Sequence, residues 1–114
     1  MSNWVNICSV DDILTNMGRC ALLNGEQVAI FRIAEQQATG ESEQFFAIDN
    51  FCPFSKANVI SRGIVGSLSE KIVVASPLYK QHFDLATGQC LEDEAVSVKT
   101  YQVRVEGNTV QLAA

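Results

Sequence analysis

Two proline-marked segments constrain this chain more than any other feature. Both of its prolines and its only histidine fall between Asp49 and Gly88. In the first segment Cys52-Pro53-Phe54 leads into a turn of small residues. In the second, Ser76-Pro77-Leu78-Tyr79 leads to Phe83-Asp84 and then to Thr87-Gly88. Proline fixes φ and has no backbone N–H to donate, so it punctuates a sheet rather than continuing it. Each segment therefore reads as strand, loop, strand.

The rest of the chain supplies the strands that such loops need. Ser9-Val10-Asp11-Asp12 carries the serine-to-acid spacing of a short capped helical turn before Ile13-Leu14, with Gly18 ending it. Arg19–Leu23 and Glu26–Ile33 flank Asn24-Gly25, whose tolerance of positive φ predicts a type I′ hairpin. The polar run 34–43 reads as a solvated loop, and the aromatic run 44–49 as the next strand. Ile72–Ala75 and His82–Leu85 fit short strands on either side of the second loop.

From Val96 to Val105 the apolar residues change parity, Val96 and Val98 on one side and Tyr101, Val103 and Val105 on the other. A bulge or corner near Thr100 follows, since a one-residue slip turns every side chain over. Glu106-Gly107-Asn108 then turns into a closing strand, Thr109–Leu112. The expectation is one domain over residues 1–114, all-β, a small antiparallel sandwich or barrel of eight to ten short strands with minimal helix.

Composition excludes several classes of function. The net charge is −5, and the eight Lys and Arg residues are scattered, so the basic face of a nucleic-acid binder is missing. No segment approaches the ~18 apolar residues of a membrane span, and the first residues, Met-Ser-Asn-Trp-Val-Asn, do not resemble a signal peptide. A cytoplasmic location is expected. Cys8, Cys20, Cys52 and Cys90 form no Cys-x-x-Cys and are expected to be free, buried thiols.

No catalytic pair stands out. His82 lacks a nucleophile and acid spaced as a triad and is expected to pack at a loop or surface. Asp49-Asn50 reads as a turn, Glu92-Asp93-Glu94 as a solvated bend, and Gly63 and Gly66 as turn glycines rather than a phosphate cradle.

The two loops resemble those of the Rieske iron–sulfur family, in which Cys-x-His and Cys-Pro-x-His-Gly-x-x-Phe-Asp hold a [2Fe-2S] cluster through two Cys and two His. The resemblance implies a Rieske-like fold and puts Cys52, Phe54, Ser76 and Tyr79 at the four ligand positions, while Pro77, Phe83, Asp84, Thr87 and Gly88 keep the frame. Phenylalanine has no donor atom, and hydroxyls are hard ligands for such a centre. The expectation is therefore no metal ligands, no cofactor and no catalytic residues in this chain.

Within that family, Cys52–Ala57, Ser61–Gly66 and Ser76–Leu85 are similar to the small subunits of assimilatory NAD(P)H-dependent nitrite reductases. The resemblance implies an accessory subunit whose partner is the large catalytic subunit, with FAD, an iron–sulfur cluster and sirohaem expected there. Lys56, Arg62 and Lys80 surround the loops of an otherwise acidic chain. Phe54, Lys56, Tyr79, Lys80 and His82 are the candidate docking residues, with Phe54 and Tyr79 expected to pack on each other. The alternative is a Rieske or ferredoxin-type electron carrier with atypical ligation through Cys52 and Ser76, Tyr79 or His82.

Overall fold

The computed structural model describes residues 3–37, 40–68, 71–77 and 81–113. The chain starts with β1 (Trp4–Ser9), followed by a 3-10 turn at Val10–Asp12. The expected capping box is present. The Ser9 N–H donates to the Asp12 carboxylate at 3.0 Å, and the Asp11 N–H donates to Ser9 Oγ at 3.3 Å. The turn ends at Ile13, whose N–H reaches the Val10 carbonyl at 3.1 Å. Gly18 does not end it. Gly18 lies inside β2 (Met17–Leu23), where a Cβ would stand 2.6 Å from the Phe31 ring and 2.7 Å from the Ser61 carbonyl, so close packing requires the glycine.

β2 returns into β3 (Glu26–Gln37) with Leu23 opposite Glu26. Asn24 and Gly25 have φ of 51° and 83°, the pair of positive values that a type I′ turn needs. β3 then pairs with β4 (Gly40–Asp49) from Val28↔Asp49 to Gln37↔Gly40. The expectation of a loop over 34–43 is corrected by that ladder at 34–37 and 40–43, while 38–39 lie outside the described residues. Strand pairing is carried by the backbone, and polar composition alone did not end it.

Two short strands, β5 (Phe51–Cys52) and β6 (Ala57–Asn58), form the first loop hairpin, and a second 3-10 turn, Ile60–Arg62, follows. β7 (Ile64–Leu68), β8 (Lys71–Ala75) and β9 (His82–Asp84) make a three-stranded sheet in sequence order. Gly66 therefore sits within a strand, while Gly63 closes the 3-10 turn against the Ala75 carbonyl and Val74.

The parity change predicted near Thr100 is a change of sheet. β10 (Thr100–Tyr101) pairs with β4, the ladder breaks at Gln102, and β11 (Val103–Glu106) pairs with β12 (Thr109–Ala113). Residues 96–99 form only a bridge, Gln89↔Ser97, rather than the start of a long strand. The sheets are thus β1-β12-β11, β10-β4-β3-β2, β5-β6 and β7-β8-β9, with twelve strands and no α-helix among the described residues.

β3 lies between two core clusters. Val28 and Ile30 face Val10, Ile13, Val110 and Leu112, while Ala29, Phe31 and Ile33 face Cys52, Val74, Phe83 and Leu85. A strand buried on both faces reads as a continuous apolar run, as Val28–Phe31 does. The second cluster supports the two loops directly.

Candidate functional site

Asn50 anchors the first loop. Its N–H donates to the Gln27 carbonyl at 3.1 Å, and its carbonyl accepts from the Ile60 N–H at 3.1 Å. Its amide donates to Gln27 Oε1 at 3.0 Å, and its Oδ1 accepts from the Ser61 N–H at 2.7 Å. A buried amide so fully bonded fixes the exit of β4 and the entry of the loop together. The turn expected at Asp49-Asn50 is thus a knot. Asp49 closes β4 instead, its Oδ1 accepting from the Tyr101 hydroxyl at 2.6 Å, with Glu26 Oε2 3.0 Å away. Burial and those two carboxylates push the Tyr101 phenol far above its ordinary value.

Within the first loop the Lys56 N–H closes a turn on the Cys52 carbonyl at 2.7 Å, and Lys56 itself has φ of 57°. In the second loop the Ser76 N–H donates to the Gln81 carbonyl at 2.8 Å. Cys52 and Ser76 are both buried, and Cys52 Sγ lies 3.5 Å from Ser76 Oγ where the loops meet. Burial alone would raise the Cys52 thiol. The polar surroundings of the sulfur, the Ser76 hydroxyl and the Ser55 and Phe54 backbone among them, outweigh it and hold the thiol below its ordinary value.

Phe54 does face inward, but its partner is Phe83, with ring centroids 6.2 Å apart and planes tilted by 47°. Tyr79 and Lys80 lie outside the described residues, so the structure does not bear on a Phe54–Tyr79 pair. Lys56 and Arg62 are exposed. His82 is half-buried and held by Glu92: the His82 N–H donates to Oε1 at 2.7 Å, and Nδ1 lies 2.7 Å from Oε2. The solvated bend expected at Glu92-Asp93-Glu94 is present and exposed, and Glu92 in addition reaches back to the loop. Burial opposes ionisation of Glu92, but the His82 backbone and ring together hold its carboxyl below the usual range.

All four cysteines are free, as expected, yet only Cys52 and Cys90 are buried. Cys8 is half-buried, and Cys20 is exposed beside Gln27 at 3.4 Å.

The fold and this loop pair define a class. The model of the family described as "Rieske-like [2Fe-2S] domain" matches residues 3–113. A nitrite reductase (NADH) small subunit of Salmonella typhimurium is 52% identical over 112 residues, 98% of each chain. The solution structure of the Escherichia coli protein NirD superposes with a TM-score of 0.86 at 48% identity, covering 100% of this chain and 98% of that one. A nitrite reductase [NAD(P)H] large subunit of Klebsiella oxytoca is 36% identical over 107 residues, which are 94% of this chain but 10% of that protein. The chain belongs to the Rieske-like [2Fe-2S] domain family and, within it, to the small subunits of NADH nitrite reductase.

The family match overturns the expectation that this chain carries no cofactor, because a Rieske-like [2Fe-2S] domain points to a two-iron cluster between the loops. The donors found there are one thiol, Cys52, and one hydroxyl, Ser76; Phe54 supplies none and Tyr79 lies outside the described residues. Among the described residues no three His, Cys, Asp or Glu come together as a metal site. That donor set does not fit a centre held by two thiolates and two imidazoles. The chemistry open to the described residues at the loop base is that of a buried, hydrogen-bonded thiol.

Proposed function

We propose that this chain is the accessory subunit of a cytoplasmic nitrite reductase. It docks on the large catalytic subunit, which reduces nitrite to ammonium with electrons from NADH in nitrate assimilation. One observation carries the reading: a stretch matching 94% of this chain occurs within a large subunit in Klebsiella oxytoca, so the two parts share one polypeptide there. The full-length likeness to small subunits supports the same assignment. Free cysteines fit a reducing compartment, and no helix among the described residues is long and apolar enough to cross a membrane.

The docking face in this reading is the loop tip. Phe54, Lys56 and His82 belong to it, and Tyr79 and Lys80 join it from the sequence. Exposed Lys56 and Arg62 give that end of an acidic molecule local positive charge, the arrangement that steers an oppositely charged partner. Co-expression of the tagged chain with the large subunit of the same organism tests the proposal. Recovery of both in one complex supports it, and recovery of the chain alone refutes it.

The family match also favours a second reading, electron transfer by this chain through an atypically held cluster. Iron analysis and visible absorbance of anaerobically purified chain separate the two. Stoichiometric iron with Rieske-type absorbance assigns electron transfer here, whereas folded, iron-free protein assigns the supporting role.

A further inference from the structure

One edge of the four-stranded sheet is left open in the middle. β10 pairs with β4 only at Ile48 and Ala47, and after Tyr101 the chain departs at Gln102 for the other sheet. The Asp49 N–H donates to the Lys99 carbonyl at 2.9 Å, so the odd-numbered residues of β4 aim their backbone groups toward that side. Ala47 meets β10. Phe45 and Glu43 continue the row and have no strand partner there among the described residues.

Two adjoining clefts lie along this edge. One, of about 510 Å³, is lined by Trp4, Phe45, Tyr101 and Val103. The other, of about 290 Å³, is lined by Phe46, Ile72 and Lys71, and both clefts include Phe46 and Ala86. An added strand sends alternate side chains to opposite faces. Unpaired backbone groups bordered by these clefts are complementary to an extended peptide, which gains affinity from the ladder and specificity from the clefts.

We propose that the open edge of β4, at Glu43 and Phe45, takes an extended segment of the nitrite reductase large subunit as an added strand. This rests on the large subunit being the partner. The position of the chain ends favours that occupant over a second copy. Trp4 lines the first cleft and pairs with Ala113, so both ends of the domain lie beside the groove. The stretch matched in the Klebsiella oxytoca large subunit is a tenth of that polypeptide, so the rest of that chain is joined to the equivalent domain at one or both of these ends. Of the loop-tip docking residues, the described ones, Phe54, Lys56 and His82, line neither cleft, which makes this a second contact area.

Amide hydrogen exchange on the full-length chain, alone and with the purified large subunit, tests the proposal. Exchange at Glu43 and Phe45 is expected to slow about tenfold or more in the complex. Glu43→Pro removes an outward N–H without touching the β3 ladder and is expected to weaken binding about tenfold. Ala86→Arg, which obstructs both clefts from an exposed position, is the second variant should the proline unfold the strand. A complex with unchanged exchange at Glu43 and Phe45 and unaltered affinity of the variants overturns the edge contact and leaves the partnership standing. No complex with the unsubstituted chain overturns both. Protection of the same amides in the chain alone, rising with its concentration, assigns the edge to a second copy and also overturns the proposal.

Discussion

Cys52 Sγ and Ser76 Oγ lie 3.5 Å apart, each buried and each at the start of one proline-marked loop. The contact joins the loops at their base with a hydrogen bond, and the aromatic pair Phe54–Phe83 packs against the same core cluster. Loop order therefore rests on packing and on the Asn50 knot.

The Ser76 hydroxyl is one of the groups that hold the Cys52 thiol low. Ser76→Ala removes it while burial stays, so the thiol pKa is expected to rise. Ultraviolet absorbance of the thiolate during a pH titration measures it, with Ser76→Thr restoring the donor.

Glu92→Gln breaks the grip on His82. A carboxyl whose pKa is depressed by folding adds stability above its ordinary pKa, and that stability is lost as pH falls through the depressed value. The variant is expected to be less stable by under ~1 kcal/mol near neutrality, since the side chain is 48% exposed, and equal to the parent in strong acid. Denaturant midpoints at the two pH values check this.

Gly88 and Gly25 have nearly the same left-handed backbone, φ of 78° and 83°, but different surroundings. A Cβ at Gly25 meets nothing within 4 Å, whereas at Gly88 it meets the Val98 carbonyl. Gly25→Ala is expected to cost about 1 kcal/mol and Gly88→Ala about 3 kcal/mol, read from urea unfolding. Equal losses would mean that the Val98 contact relaxes freely.

Lys56→Glu reverses an exposed charge at the loop tip. It is expected to slow association with the large subunit about five- to tenfold, with the loss shrinking as salt is added, and to leave the thermal midpoint unchanged. Stopped-flow mixing at two ionic strengths measures it.

The sequence made the turns legible because turn chemistry is local. Ser9 to Asp12 and Asn24-Gly25 carry their geometry in neighbouring residues. The parity slip after Val98 was legible as a discontinuity, but a corner and a change of sheet share that signal until Tyr101 is seen on β4 and Val103 on β12. The strand pairing of 34–37 with 40–43 was hidden because its ladder is a backbone property. At the site, Cys52 and Ser76 were found by their place in the loop frame. Glu92 was missed, since the ten residues separating it from His82 leave no periodic trace, and Asn50 was missed because an Asp-Asn pair looks the same in a turn as in a knot.

The central claim is that this chain serves a nitrite-reducing partner. Its most direct test is the rate of NADH-dependent nitrite reduction by the purified large subunit, measured while this chain is titrated in. The account predicts a saturable rise in rate or in operational half-life that plateaus at a fixed ratio of the two chains. A rate and half-life that stay flat through a clear excess of folded chain would contradict it.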